Sequence, residues 1–273
     1  MTADLKKFCG LDLKLDTEKA KLVFGKETNT PEPAVRTLNE MKEVILDKEI
    51  TVPQELYYMY RDLHGADDAA ILKKNELRYD VTIIKPDMLG REFMKTAGHY
   101  HPGDYGELYE VVYGRCYCML QRPNKQNHKI IEEVIVVEAS AGQKIVIPPG
   151  FGHILINPGP ECLVTSNWVS ANFKSEYDLY KQAQGAAYFM LSAGKKSEFI
   201  PNPYFIKVPD MVCTKPSEKI SKFGLTEGEP IYPLIHSDPG KLAFLNRPLD
   251  FTYMDVFVDI PRDKPKRSCC CGN

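Results

Sequence analysis

Gly142 to Asn157 read GQKIVIPPGFGHILIN, two short runs of β-branched and aliphatic residues separated by Pro148, Pro149, Gly150, Phe151 and Gly152. KIVI and HILI have the length and composition of strands, and no ladder runs on through Pro-Pro-Gly, so the stretch folds back as a hairpin. His153 is thereby delivered just beyond a glycine-rich turn. The same grammar runs outward on both sides. LRYDVTIIK, REFMKTAGHYH, ELYEVVYG, CYCMLQ and HKIIEEVIVVEA precede it and ECLVTSNWVS follows, divided by PDMLG, HPGDYG, RPNKQN, SAGQ and NPGPE. Short strands at such regular spacing predict an all-β barrel or sandwich.

The 273 residues are 43% hydrophobic and 26% charged, which is ample apolar content for a packed core and excludes disorder throughout. No apolar run reaches the roughly 18 residues of a spanning helix, and the start, MTADLKKFCG, has no apolar signal core, so a cytoplasmic protein is expected. Thirty-five basic against 37 acidic residues give a net charge of −2, a balance that exerts no global pull on nucleic acid and points to small-molecule chemistry. The eight cysteines make neither a disulfide framework nor a paired CxxC ladder. Cys116 and Cys118 share a strand face, Cys269, Cys270 and Cys271 are adjacent, and Cys9, Cys162 and Cys213 are isolated, which reads as reduced thiols.

Three segments are expected: an N-terminal arm over 1–34 that can extend a neighbour's sheet, the barrel over 35–205, and a C-terminal extension over 206–273, rich in proline, that wraps the barrel. VRTLNEMKEVIL spaces Val35, Leu38, Met41 and Ile45 by three and four and predicts an amphipathic helix over 35–46. LYYMYRDLHG reads as a strand, SEYDLYKQAQG as a short helix, and AAYFMLSAGKKSEFIPNP as a hairpin turning at Gly194. The tail KPKRSCCCGN reads as a polar end rather than a membrane anchor, and CCGN is no prenylation box.

Chemistry concentrates in four residues. His99 and His101, at i and i+2 on a strand, put both imidazoles on one face, Glu107 follows the PGDYG turn, and the next hairpin can return His153 to the same mouth. Imidazoles with a carboxylate suit a divalent first-row metal, iron, manganese, nickel or zinc, without choosing among them. His64, His128 and His236 have no such partners.

These spacings carry a resemblance. Gly142, Pro148, Gly150, His153 and Asn157 match the second cupin motif, G(x5)PxG(x2)H(x3)N, at every fixed position, and His99, His101, Glu107 and Gly114 stand for the first, G(x5)HxH(x3–4)E(x6)G. The first departs twice: Phe93 takes the place of the opening glycine, and five residues separate His101 from Glu107. A lengthened spacer, with Thr96-Ala97-Gly98-His99-Tyr100-His101 and Glu107-Leu108-Tyr109, resembles the cupin-type glucose-6-phosphate isomerases. The likeness extends through Thr82, Pro86 and VRTLNEM, covers about 35–205 and leaves the C-terminal segment out. It implies a cupin (double-stranded β-helix) barrel with a few short helices. It also implies one divalent metal per chain on His99, His101, Glu107 and His153, iron(II) first and manganese, nickel or zinc after it. A homodimer acting on a phosphosugar is expected.

An aldose–ketose isomerase moves one hydrogen between C1 and C2 and needs a base, an electrophile and a phosphate clamp. The metal would be the electrophile, and the resemblance implies Glu107 as the base. No Walker loop or GxGxxG is present. The family positions for the phosphate fall on Thr82, Thr96, the backbone of Gly98 and Tyr109, and Tyr57 matches a further substrate contact. An aromatic hydroxyl that the family draws from a later strand falls on Trp168 or Val169. A cupin dioxygenase and a non-catalytic sugar-binding cupin are the alternatives.

Overall fold

The computed structural model describes residues 1–194, 196–216, 218–253 and 256; the basic, cysteine-rich tail lies outside them. The Val-, Ile- and Tyr-rich runs become strands: β1 (Thr2–Asp4), β2 (Leu13–Asp16), β3 (Lys21–Phe24), β4 (Ala34–Thr37), β5 (Glu55–Tyr60), β6 (Leu77–Ile84), β7 (Met88–Leu89), β8 (Glu92–Phe93), β9 (Glu107–Tyr113), β10 (Arg115–Pro123), β11 (Ile131–Ser140), β12 (Lys144–Ile147), β13 (Gly152–Ile156), β14 (Leu163–Ser170), β15 (Tyr188–Ala193), β16 (Lys196–Pro201) and β17 (Val212–Thr214). Two sheets carry the site, one ordered β12-β9-β14-β6-β5-β4 and the other β13-β10-β11-β17. Val111, Ile145 and Leu163 from the first share a core with Cys118, Leu120, Val136 and Ile154 from the second. This is the all-β, two-sheet architecture of a cupin, with ladders that do not close into one continuous barrel among the described residues.

Period-two alternation sends the other half of the six-stranded sheet outward, yet that face is buried as well. Tyr79, Val81, Leu108, Val112, Val164 and Trp168 form a second core with Leu5, Leu13 and Leu15 of the N-terminal β1-β2-β3 sheet and with Ile220, Phe223, Ile231 and Phe244 of the C-terminal segment. The wrap is pinned as expected: Trp168 donates its indole N–H to the Ile231 carbonyl at 2.9 Å, and Tyr232 stacks on the indole. The opening residues differ from the expectation of an arm outside the core. Leu13 and Leu15 are fully buried, and burying each such side chain contributes about 1.5–3 kcal/mol, so residues 1–24 are one wall of the molecule.

The helix expected over 35–46 is also corrected. Val35 and Arg36 pair with Tyr58 and Tyr57 in β4–β5, and only Leu38–Met41 is helical, started by a Thr37–Glu40 capping box. Strand pairing overrides the helical spacing, which still places Leu38, Met41 and Ile45 in the first core. The short helix at Asp178–Gln182 and the β15–β16 hairpin form where the sequence puts them. Cys9, Cys116, Cys118 and Cys162 are buried free thiols, whereas Cys213, expected reduced, is disulfide-bonded.

Candidate metal centre and its pocket

The two motifs meet backbone to backbone. His99 and His153 exchange main-chain hydrogen bonds, His99 N–H to the His153 carbonyl at 3.3 Å and His153 N–H to the His99 carbonyl at 3.1 Å. That bridge fixes the HxH segment against the start of β13, just past the Pro-Pro-Gly turn. Glu107 opens β9, the six-stranded sheet's contribution, and points with Tyr109 and Val111 toward the first core.

The four side chains converge. One donor atom from each of His99, His101, Glu107 and His153 lies within 4.8 Å of the others. Glu107 Oε2 is 3.2 Å from His153 Nε2, 3.3 Å from His101 Nε2 and 3.9 Å from His99 Nε2. It is buried and makes no well-aligned hydrogen bond to any of them. His101 gives its Nδ1–H to the Tyr105 carbonyl at 3.2 Å, which fixes the tautomer and leaves the Nε2 lone pair facing the cluster. Burial, then the neighbouring rings of His153 and His101, push the His99 pKa well below its ordinary value, and burial does the same to His153 against the pull of Glu107. Burial alone would raise Glu107, but the imidazoles of His101 and His153 outweigh it and hold the carboxyl well below the usual range. Three imidazole nitrogens around a carboxylate oxygen are a donor set that fits a divalent cation.

Tyr57, Thr82, Thr96, Gly98 and Tyr109 all line the pocket into which His99, His101 and Glu107 face, while His153 closes the cluster from within. Thr96 Oγ accepts the Leu155 N–H at 3.0 Å and keeps its own proton. Tyr57 likewise accepts from Ala97 N–H at 3.2 Å. Gly98 sits at φ +80°, where a Cβ would come within 2.5 Å of the Tyr180 ring. Tyr109 is placed at the cluster end, its hydroxyl 3.2 Å from His153 Nε2. Register decides between the two later-strand positions: Val169, opposite Glu107, faces the pocket, and Trp168 belongs to the outer core. That strand supplies no aromatic hydroxyl there, but Tyr177, after β14, lines the pocket with its ring 5.7 Å from His99.

Other pocket residues escaped the sequence reading. Asn167, in phase with Val169, donates from Nδ2 to Glu107 Oε1 at 2.6 Å; alternation in TSNWVS, once Val169 is taken as inward, would have found it. Arg61, Arg78 and Asp80 reach the pocket only through the β5–β6–β14 register, for which the sequence has no local signal.

Three histidines and a glutamate gathered at the head of a hydroxyl-lined pocket, in a two-sheet β fold, form a group that could hold a metal ion. Residues 35–204 match the family model described as Glucose-6-phosphate isomerase (GPI), and the chain belongs to that family. It is 24% identical over 202 residues to the glucose-6-phosphate isomerase of Thermococcus onnurineus, covering 71% of this chain and 95% of the relative. The enzyme of the same name from Pyrococcus horikoshii is 24% identical over 203 residues, with the same coverage of 71% and 95%. Among solved structures, an oxalate oxidase has a TM-score of 0.30 at 17% identity, covering 37% of this chain and 46% of that one.

Proposed function

We propose that this chain interconverts glucose 6-phosphate and fructose 6-phosphate, a step of glycolysis and gluconeogenesis, using one divalent cation held by His99, His101, Glu107 and His153. What carries the reading is the convergence of three imidazole nitrogens and a carboxylate oxygen at the head of a hydroxyl-lined pocket, in a chain of the glucose-6-phosphate isomerase family. Iron(II) is the first choice, then manganese, nickel or zinc; when bound, the cation supplies a Lewis acid for the C1 and C2 oxygens of the opened sugar.

The protein's own groups do the rest. Glu107 carries the proton between C1 and C2, its Oε1 edge fixed by Asn167. Thr82 and Thr96 give hydroxyl protons, and Gly98 its amide, to the phosphate, with Tyr57 a further substrate contact; Tyr109, expected at the phosphate, has its hydroxyl 3.2 Å from His153 Nε2 and orients the sugar instead. Residues 35–205 form the working unit, with the N-terminal strands and the described residues from Ile220 onward packed on its outer core, in a cytoplasmic homodimer that keeps its buried thiols reduced.

The test is conversion of fructose 6-phosphate in deuterated water. Glucose 6-phosphate should form and carry solvent label, as proton transfer through an enediol requires. Consumption of oxygen with no glucose 6-phosphate would overturn the reading in favour of an oxygenase.

A further inference from the structure

Two guanidinium groups reach the pocket, Arg61 and Arg78, and they are differently committed. Arg78 is spent on Asp80: its Nε donates to both carboxylate oxygens at 2.9 and 3.0 Å and its Nη2 to one at 2.8 Å. Asp80 also accepts the Asp62 backbone N–H at 3.0 Å, which ties the chain just past β5, where Arg61 sits, to β6. Arg61 makes no ion pair within 4 Å among the described residues, although its charge acts on Asp80; its Nη2 lies 3.6 Å from the Met59 thioether, a weak acceptor. That contact places the guanidinium. Met59 pairs with Thr82 in the β5–β6 register, so Arg61 folds back along β5 toward the hydroxyl wall.

An arginine fork matches the oxygens of a phosphate, and here it faces a polar pocket with a thioether as partner. The separation suits the task. Glu107 lies on β9, three strands from β5 across β14 and β6, roughly 14 Å at the backbone. Side chains reach inward from both ends and leave the span of an opened six-carbon sugar with a terminal phosphate. We propose that Arg61 is a specificity-determining residue, the cationic grip on the substrate's phosphate beside Thr82, held in place by the Arg78–Asp80 pair. The inference rests on the hexose-phosphate reading above.

The experiment uses metal-loaded wild type, Arg61→Met and Arg61→Lys, with inorganic phosphate titrated by calorimetry and fructose 6-phosphate kinetics measured alongside. Arg61→Met should raise KM by about 10- to 100-fold with a far smaller change in kcat and weaken phosphate binding by a similar factor. Binding of unphosphorylated fructose should stay as it was, and Arg61→Lys should recover part of the loss. Thermal midpoint and metal content report whether the variants fold. Wild-type KM and phosphate affinity in Arg61→Met would overturn the assignment while leaving the isomerase reading intact. Arg61-dependent phosphate binding by a wild type that converts no fructose 6-phosphate would keep the anion site and remove the substrate. Wild type that binds no phosphate contradicts the proposal outright.

Discussion

Glu107 has Oε1 held by Asn167 at 2.6 Å while Oε2 faces the three imidazoles with no aligned hydrogen bond, so its orientation and its charge are set by different neighbours. Glu107→Gln, compared with wild type at equal metal loading, should lose turnover by about 10²–10⁴-fold, the usual worth of a general acid–base group; a rate within a few-fold of the parent would remove it as the base. Gly98 is constrained by geometry instead. Gly98→Ala meets both a left-handed φ and the Tyr180 ring at 2.5 Å, and should cost about 1–3 kcal/mol in urea unfolding. The metal quartet was legible because each member has a spacing to another. Asn167 and Arg61 were not, because what brings them to the site is cross-strand register, and register leaves no mark within a single strand.

The turn around Pro148 to Gly152 was legible, but the expected hairpin does not form: β12 pairs with β9 and β13 with β10, in different sheets, and the structure adds what Asn157 at the end of β13 does. Its Nδ2 donates to the carbonyls of Ile84, Lys85 and Glu161, and its Oδ1 accepts from Gly159 N–H, bracing the end of β13 against β6. Asn157→Ala strands the buried Ile84 carbonyl and unties the partly buried Lys85 and Glu161 carbonyls, and should destabilise the fold by about 1–3 kcal/mol, measurable as a lower denaturant midpoint; an unchanged midpoint would mean that water replaces the amide. The stretch 35–46 was misread for an instructive reason. Its apolar residues serve two cores in turn, Val35 the outer and Leu38, Met41 and Ile45 the inner, and a strand followed by one helical turn mimics a continuous helical stripe.

The molecule is built in layers, with the six-stranded antiparallel sheet buried on both faces between two cores. The outer face of that sheet carries a buried charged pair, Lys144 and Glu110 at 2.9 Å, and Glu110 also accepts the Ile231 N–H of the wrap at 3.0 Å. Burial pushes Glu110 up to about 7 against the opposing charge of Lys144. A carboxyl whose folded pKa exceeds its unfolded value near 4.5 stabilises the fold fully below 4.5, and the contribution is lost as the pH rises through about 7. Lys144→Met removes the opposing charge and raises that pKa further, so its cost should be small at low pH and about 3–5 kcal/mol once Glu110 is forced to ionise; an equal cost at pH 5 and pH 9, by urea unfolding, would contradict this origin. The central claim, a metal-dependent phosphosugar isomerase, is tested most directly on the intact chain: fructose 6-phosphate conversion before and after chelation, and again after each divalent metal is restored. Chelated protein should lose its activity, iron(II) should return it, and His101→Ala and His153→Ala should bind little metal and regain nothing. Undiminished conversion by thoroughly stripped protein would contradict it.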